Sequence, residues 1–338
     1  MSKSDPIEKA LDRLAELRHR DPSPQHTEEI RRFLTHKSNL VAAKAANLVK
    51  EQRRSEFVPD LVSAFHRFIA NPAQLDKRCA ALTGITEALY ELDYSEPDIY
   101  LRGLRHVQME ASFGPPVDAA AALRGISGQA LLRTPYKDRM RAVLPLLVDR
   151  EPPARIGGVR ALATNGGSAG ALLLRLKVLT GDSEPEVIVE CFLGLLSSAA
   201  EESLSFIADF MDSEDQATSD AAIWALGQSR LSAAFERLRD KSERTIARDR
   251  RMRVLSAIAM LRLEIAIEFL CSIISTENQT AASDALNALA QFKSNRGIRE
   301  AVSTAVRKRH DENLQRAFVR EFGQNESEPK LRSPAVKT

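Results

Sequence analysis

Residues 220–228 read Asp220-Ala-Ala-Ile-Trp-Ala-Leu-Gly-Gln228, and near-copies of this stretch recur along the chain. Small residues stand where a second helix must approach closely, and an apolar stripe at helical spacing ends on Leu226. The spacing between copies, from 28 to 41 residues, is typical of repeat arrays. The copies align on Leu48, Ile85, Ile126, Leu162, Leu195, Leu226, Leu261 and Leu289.

Each copy predicts a helix, which we call a motif helix, and each is followed by a second helix that carries larger aliphatic residues. The chain is 43% hydrophobic but only 5% aromatic, and its wealth of Ala and Leu favours helix and predicts no strand. One such pair cannot bury its own apolar face, so neighbouring pairs must stack. The sequence therefore predicts an all-α solenoid of about eight helical hairpins.

Three regions are predicted along the chain. Asp5, Pro6 and Glu8 form a helix-capping pattern, and we expect residues 1–35 to be an N-terminal helical cap. Residues 36–322 hold the repeats. Residues 323–338 are polar and contain two prolines, which predicts a disordered tail.

The motif residues resemble HEAT and HEAT-like repeats, which begin with an acid, Pro and Val-Arg and continue into Ala-Leu-Gly. Glu184-Pro-Glu-Val-Ile-Val-Glu-Cys-Phe-Leu-Gly-Leu195 is one such copy. Arg78 and Arg155 stand where the family has its arginine, and the acid positions hold Asp76, Glu151 and Glu184. The resemblance implies a right-handed α-α superhelix of the armadillo type. It leaves function open, because the fold serves scaffolds, lyases, a hydroxylase and a DNA glycosylase.

The enzymatic members of that group require residues that this sequence lacks. HEAT hydroxylases bind two irons through repeated His-Glu pairs, whereas no histidine here precedes a glutamate. The glycosylases hold a lesion against aromatic side chains, but Trp224, the single tryptophan, lies within a motif helix. The repeats also resemble those of phycobilin lyases, without a residue set that carries that chemistry. We therefore expect no catalytic activity, no catalytic residue, no metal and no cofactor.

The glycine-rich stretch Asn165-Gly-Gly-Ser168 looks superficially like a phosphate-binding loop. It lacks the preceding strand and the terminal Lys-Ser or Lys-Thr that such loops use. A helix end followed by a Ser168 N-cap explains the stretch instead.

Charge is uneven along the chain although the net charge is only +2. Residues 101–180 hold 12 basic and 5 acidic residues, residues 181–238 hold 2 and 12, and residues 239–262 hold 8 and 3. One interpretation is a polarised surface that attracts a charged partner. The other is solvated helix faces joined by ion pairs between neighbouring helical pairs. The basic run Arg244 to Arg253 is interpreted as a linker, or alternatively as a nucleic-acid contact.

Candidate partner-binding residues lie on the second helices, which usually line the concave side of a HEAT array, and in the turns. Tyr94 and Tyr136 occupy successive turns and offer an aromatic edge. The basic candidates are Arg102, Arg105, His106, Arg139, Arg175 and Lys177.

The predicted function is a non-enzymatic scaffold or adaptor that binds a protein through a charge-banded concave surface. The alternatives are nucleic-acid binding through the basic bands, and a lyase- or hydroxylase-type enzyme.

The remaining features concern the compartment. Cys79, Cys191 and Cys271 are odd in number and far apart within apolar helical patterns, which indicates buried thiols in a reducing environment. The N-terminus lacks the apolar core of a signal peptide, and no apolar run approaches the roughly 20 residues that cross a bilayer. A cytoplasmic protein that does not bind membranes is expected.

Overall fold

The computed structural model describes residues 6–21 and 23–323, and these fall into an N-terminal unit up to Ala199 and a C-terminal unit from Ala200. The helices of the N-terminal unit are α1 (Pro6–Leu17), α2 (Pro24–Leu34), α3 (Asn39–Glu51), α4 (Val58–Ala70), α5 (Pro72–Leu75), α6 (Ala80–Glu91), α7 (Pro97–Arg105), α8 (Ala121–Arg133), α9 (Arg139–Val143), α10 (Pro152–Asn165), α11 (Gly167–Thr180) and α12 (Pro185–Ser198). Those of the C-terminal unit are α13 (Ala200–Asp209), α14 (Gln216–Gln228), α15 (Ser232–Arg244), α16 (Arg248–Leu261), α17 (Glu264–Thr276), α18 (Gln279–Ala290), α19 (Arg296–Arg309) and α20 (Glu312–Phe322).

In the N-terminal unit the motif helices α3, α6, α8, α10 and α12 pack against one another in series. The second helices pack onto this layer: α4 on α6, α7 on α8, α9 on α8, and α11 on both α10 and α12. Each pair thus buries its apolar face against the next, as the repeat pattern requires. The predicted all-α architecture of stacked helical pairs is confirmed.

The C-terminal unit repeats the same plan. Its motif helices α14, α16 and α18 pack in series, and α15, α17 and α19 are the second helices. Helix α13 packs against α14, and α20 packs against α18.

Seven of the eight aligned motif positions are buried, and the exception is Ile126. Arg124 and Arg155 are both buried near the starts of their helices, and each precedes a fully buried leucine by seven residues, Leu131 and Leu162. Leu131 therefore occupies the motif position in α8, and the alignment on Ile126 is corrected by five residues. The sequence spacing is misleading here because an insertion between α7 and α8 lengthens this repeat.

That insertion contains a short antiparallel ladder that the sequence did not predict. Strand β1 (Met109–Glu110) pairs with β2 (Val117–Asp118), Met109 opposite Asp118 and Glu110 opposite Val117. Strands of two residues are too short to show an alternating pattern, so the expectation of no strand is wrong here for a physical reason.

The helix boundaries near the glycine-rich stretch also differ from expectation. Helix α11 begins at Gly167, one residue before Ser168, and no side chain caps it. Gly166 alone separates it from α10, and a Cβ there would lie 2.4 Å from the Leu162 carbonyl oxygen. Gly166 has right-handed helical dihedral angles, whereas Gly167 has a φ of 57°, so the break lies at Gly167 and Ser168 is not the N-cap.

The first helix begins at Pro6, as the capping pattern predicts, whereas Asp5 lies outside the described residues. Ser23 caps α2 by accepting a hydrogen bond from the His26 amide at 3.2 Å. The predicted tail also lies outside the described residues from 324 onward.

Candidate protein-binding surface

Buried arginines link successive helical pairs at the N-terminal ends of the motif helices. In α8, Arg124 donates two hydrogen bonds to Asp149, at 2.8 and 2.9 Å, and a third to Asp118 at 2.6 Å. In α10, Arg155 makes the equivalent pair with Asp182, at 2.8 and 2.7 Å. Arg155 also donates to the Asp149 carbonyl oxygen, so the chain of contacts is continuous from Asp118 to Asp182.

This network changes the acidity of its carboxyl groups. Burial alone would raise the pKa of Asp182, but hydrogen bonds from Arg155 and Lys177 hold that pKa below its ordinary value. Burial likewise opposes ionisation of Asp118, and the amides of Gln108 and Ala120 together with Arg124 lower its pKa. Both groups therefore stay charged in the folded chain.

Lys177 belongs to this network. Its ammonium nitrogen lies 2.7 Å from Asp182, and only 11% of its side chain is exposed. Arg175, also on α11, is half-buried. The two residues lie on the same second helix, and Lys177 acts there as an internal ion-pair partner.

The candidates on α7 differ in their surroundings. Arg102 is exposed and pairs with Asp98 at 2.9 Å within the helix. Arg105 is also exposed, at the last position of α7. His106 follows the helix, with its Nε2 3.1 Å from the Gln108 amide oxygen, and its carbonyl accepts a hydrogen bond from Arg124. His106 is thus tied to the buried network.

The two turn tyrosines and Arg139 are half-buried. Tyr94 precedes α7, and its ring packs edge-on against the ring of Tyr100, with 6.2 Å between the two ring centroids. The Tyr100 hydroxyl donates a hydrogen bond to the Tyr94 carbonyl oxygen at 2.8 Å. Tyr136 precedes α9, and its carbonyl accepts the Arg139 amide at 3.2 Å. Tyr136 and Arg139 are brought into contact with one another, and Tyr94 packs against a buried tyrosine.

Helix α11 carries exposed leucines that the sequence interpretation missed. Leu172, Leu176 and Leu179 are 68%, 55% and 67% exposed and follow one another at the four- and three-residue spacing of one helix face. The opposite face, with Leu174 and Val178, is buried. An apolar residue on every side of α11 is the signal in the sequence, because a helix covered on one side needs only one apolar stripe.

The preceding second helix adds two more exposed aliphatic side chains. Leu144 is 43% and Val148 is 79% exposed in the 3-10 turn Leu144–Val148 that continues α9. Arg141 and Arg150 are exposed beside this turn in sequence. We define the second-helix surface as α7, α9 with its 3-10 turn, and α11.

The basic run Arg244 to Arg253 is mostly helical, so its interpretation as a linker is corrected to the three residues 245–247. Arg244 pairs with Asp212, Arg248 with Asp284, and Arg253 with Asp220, all within the C-terminal unit. Ion pairs between helices thus account for much of this basic band.

Two further features bear on function, namely metal-ligand clusters and membrane-spanning helices. Within residues 6–21 and 23–323, no three His, Cys, Asp or Glu side chains are grouped so as to hold a metal ion. Over the same part of the chain, no helix has both the length and the apolar character needed to span a bilayer.

Comparison of the sequence with known protein families and with curated proteins finds no match. Among solved structures, the chain is similar to the complex of CpcE and CpcF of phycocyanin lyase from Nostoc sp. PCC7120, with 14% identity and a TM-score of 0.35. That match covers 86% of this chain and 96% of the other. A crystal structure of an engineered protein is similar at 16% identity and a TM-score of 0.35, covering 95% of each chain.

The lyase match corrects one expectation. Lack of catalytic activity was predicted from the missing His-Glu pairs and nucleophile sets, and that prediction is wrong, because the solved structures similar to this chain include a phycocyanin lyase.

Proposed function

We propose that this chain is a HEAT-like repeat protein that binds a protein partner through the second-helix surface. The observation that carries the proposal is the exposed stripe of Leu172, Leu176 and Leu179 on α11. A helix that is apolar on both faces is typical of a helix covered on both sides. The cap at residues 1–35 and the repeats at 36–322 remain the domain organisation that we propose.

Covering the stripe supplies the driving force for binding. Complete burial of one leucine side chain stabilises a complex by about 1.5–3 kcal/mol. The three leucines begin half to two-thirds exposed, so each gains the larger part of that amount. Leu144 and Val148 are further exposed aliphatic side chains on the second helix of the preceding pair. A partner helix with its own apolar stripe is the natural complement of such a surface.

The cations around the stripe favour an acidic partner. Among the described residues, Arg105, Arg141 and Arg150 are exposed and form no ion pair. Arg139 adds positive charge on α9, whereas Arg102 is paired with Asp98 within α7. Exposed charges of this kind raise the association rate and orient the partner more than they raise affinity.

Neutral substitutions test the proposal without changing the charge. The Leu172→Gln, Leu176→Gln double variant removes two of the three leucines of the stripe. Leu40→Gln is the control, because Leu40 is 55% exposed on α3. We expect the tagged wild type and the control to retain the same protein from lysate, and the double variant to lose it. Retention by the double variant, with its helical circular dichroism intact, would contradict the proposal. Recovery of nucleic acid that falls steeply with salt would favour the nucleic-acid alternative.

A further inference from the structure

The N-terminal unit has a groove on its motif helices, lined by none of the residues of the second-helix surface. This groove of about 540 Å³ crosses α6, α8, α10 and the start of α12, and it reaches Lys50 on α3. Its lining residues are Lys50, Glu87, Tyr90, Glu91, Ala122, Gly125, Ile126, Gln129, Pro153, Ile156, Gly157, Arg160 and Glu186.

The floor of the groove is apolar and built from small side chains. Gly125 and Gly157 allow α8 and α10 to touch, since a Cβ on Gly157 would lie 2.2 Å from the Gly125 Cα. Ala122, Ile126 and Ile156 are partly exposed around this contact. Ile126 lines the groove, five residues before the true motif residue Leu131, which is buried.

The charges at the groove do not cancel. Lys50 pairs with Glu87 at 2.6 Å, and Arg160 pairs with Glu190 just outside the lining. Both cations are thus neutralised by neighbouring acids. Glu91 and Glu186 remain exposed, and neither forms an ion pair among the described residues. Glu186 also attracts Arg160 electrostatically, so the lining holds three acids against two bases, with an exposed carboxylate at each end of an apolar centre.

The distance between those ends defines the size of an occupant. Neighbouring helix axes are about 8–10 Å apart, so the three steps from α6 to α12 separate Glu91 from Glu186 by roughly 25 Å across the helices. An offset along the helices adds to this, because Glu91 ends α6 whereas Glu186 lies at the start of α12. An extended peptide rises about 3.3 Å per residue and needs about eight residues to span that length. Small side chains in the middle suit a floor formed by Ala122 and two glycines.

We propose that this groove binds an extended peptide segment of a partner protein, with Lys or Arg near both ends and small apolar residues between them. Glu91 and Glu186 receive the two cations, and the floor between α8 and α10 receives the apolar centre. The second-helix surface is basic and apolar, whereas this groove is acidic, so the two surfaces select opposite partners.

The test uses a fluorescein-labelled nonapeptide, Lys-Ala-Val-Ala-Ala-Ala-Val-Ala-Lys amide, and a matched peptide with Glu in place of both Lys. Fluorescence anisotropy with the full chain at low salt is expected to show binding of the first and not of the second. The Glu91→Gln, Glu186→Gln double variant is expected to weaken binding about fivefold or more, because both opposite charges are lost.

Three control variants separate binding in the groove from general charge and from binding at the second-helix surface. Glu184→Gln and Glu214→Gln remove exposed carboxylates outside the groove, and Leu172→Gln, Leu176→Gln alters the second-helix surface; all three are expected to bind the peptide normally. Ala122→Trp fills the floor without changing charge and is expected to abolish binding. Equal binding of both peptides, or unchanged binding by the Glu91→Gln, Glu186→Gln variant, would overturn the proposal.

Discussion

Arg155 on α10 and Asp182 before α12 form a bidentate ion pair, with donor-to-acceptor distances of 2.8 and 2.7 Å. The arginine side chain is 8% exposed and the aspartate 2%. Because the two residues belong to neighbouring helical pairs, the contact sets how one pair sits on the next. Arg124 and Asp149 repeat the arrangement one pair earlier.

Removing this arginine is expected to destabilise the chain strongly. Arg155→Met leaves the buried Asp182 with only Lys177 and the Glu184 amide as partners, and breaking a buried pair in this way costs about 3 kcal/mol. The free energy of unfolding is measured by urea denaturation monitored by circular dichroism. Arg150→Met removes an exposed arginine nearby and is expected to change it by less than about 0.5 kcal/mol. Equal stability of the two variants would show that the pair contributes nothing.

The contribution of Asp182 to stability is expected to depend on pH. Its pKa is lowered in the folded chain, so its stabilising effect is fully present above the unfolded value of about 3.9 and is lost as pH falls through the folded value. The difference in unfolding free energy between wild type and Asp182→Asn is expected to shrink from pH 6 to pH 3. A difference that stays constant across this range would contradict the assignment.

Gly157 is expected to tolerate no side chain. Gly157→Ala places a Cβ 2.2 Å from the backbone of Gly125, which cannot rotate away, and overpacking of this kind costs about 1–3 kcal/mol. Gly114→Ala is the matched control, since a Cβ there meets nothing within 4 Å. Thermal unfolding compares the two. A Gly157→Ala variant as stable as Gly114→Ala would mean that α8 and α10 lie farther apart.

The cysteines are expected to be unreactive in the folded chain. Burial raises the pKa of Cys79 and Cys191 to about 12, and that of Cys271 to about 11. Since the thiolate is the nucleophile, reaction with a disulfide reagent at pH 8 is expected to be slow for all three and to accelerate in urea. Rapid modification of Cys79 or Cys191 without denaturant would contradict their burial.

The repeat architecture was predictable because its signal is local. Small residues on one helix face, as in Ala221 to Gly227, indicate close helix contact wherever they occur in the chain. The ion pairs between helical pairs were harder to predict from the sequence. Arg155 was recognisable as the family's arginine, but its partner Asp182 follows 27 residues later and meets it only through the stacking of two pairs.

For the candidate binding residues too, the sequence predicts which helix holds a side chain but not what that side chain contacts. Arg102, Arg105, Arg139 and Arg175 were assigned to second helices from spacing, and they lie on α7, α9 and α11. That Lys177 points to Asp182 depends on the tertiary position of the turn after α11. Whether a leucine is core or surface likewise depends on what packs against it, so the exposure of the stripe on α11 could not be read from the sequence.

Site-specific crosslinking tests the proposed partner surface most directly. A photoreactive benzoylphenylalanine replaces Leu176 on α11 in one protein and Leu40 on α3 in another, two positions that are both 55% exposed. After irradiation in lysate, we expect one discrete protein to be crosslinked to this chain through position 176 and not through position 40. No adduct from position 176, or the same adducts from both positions, would contradict binding at the second-helix surface.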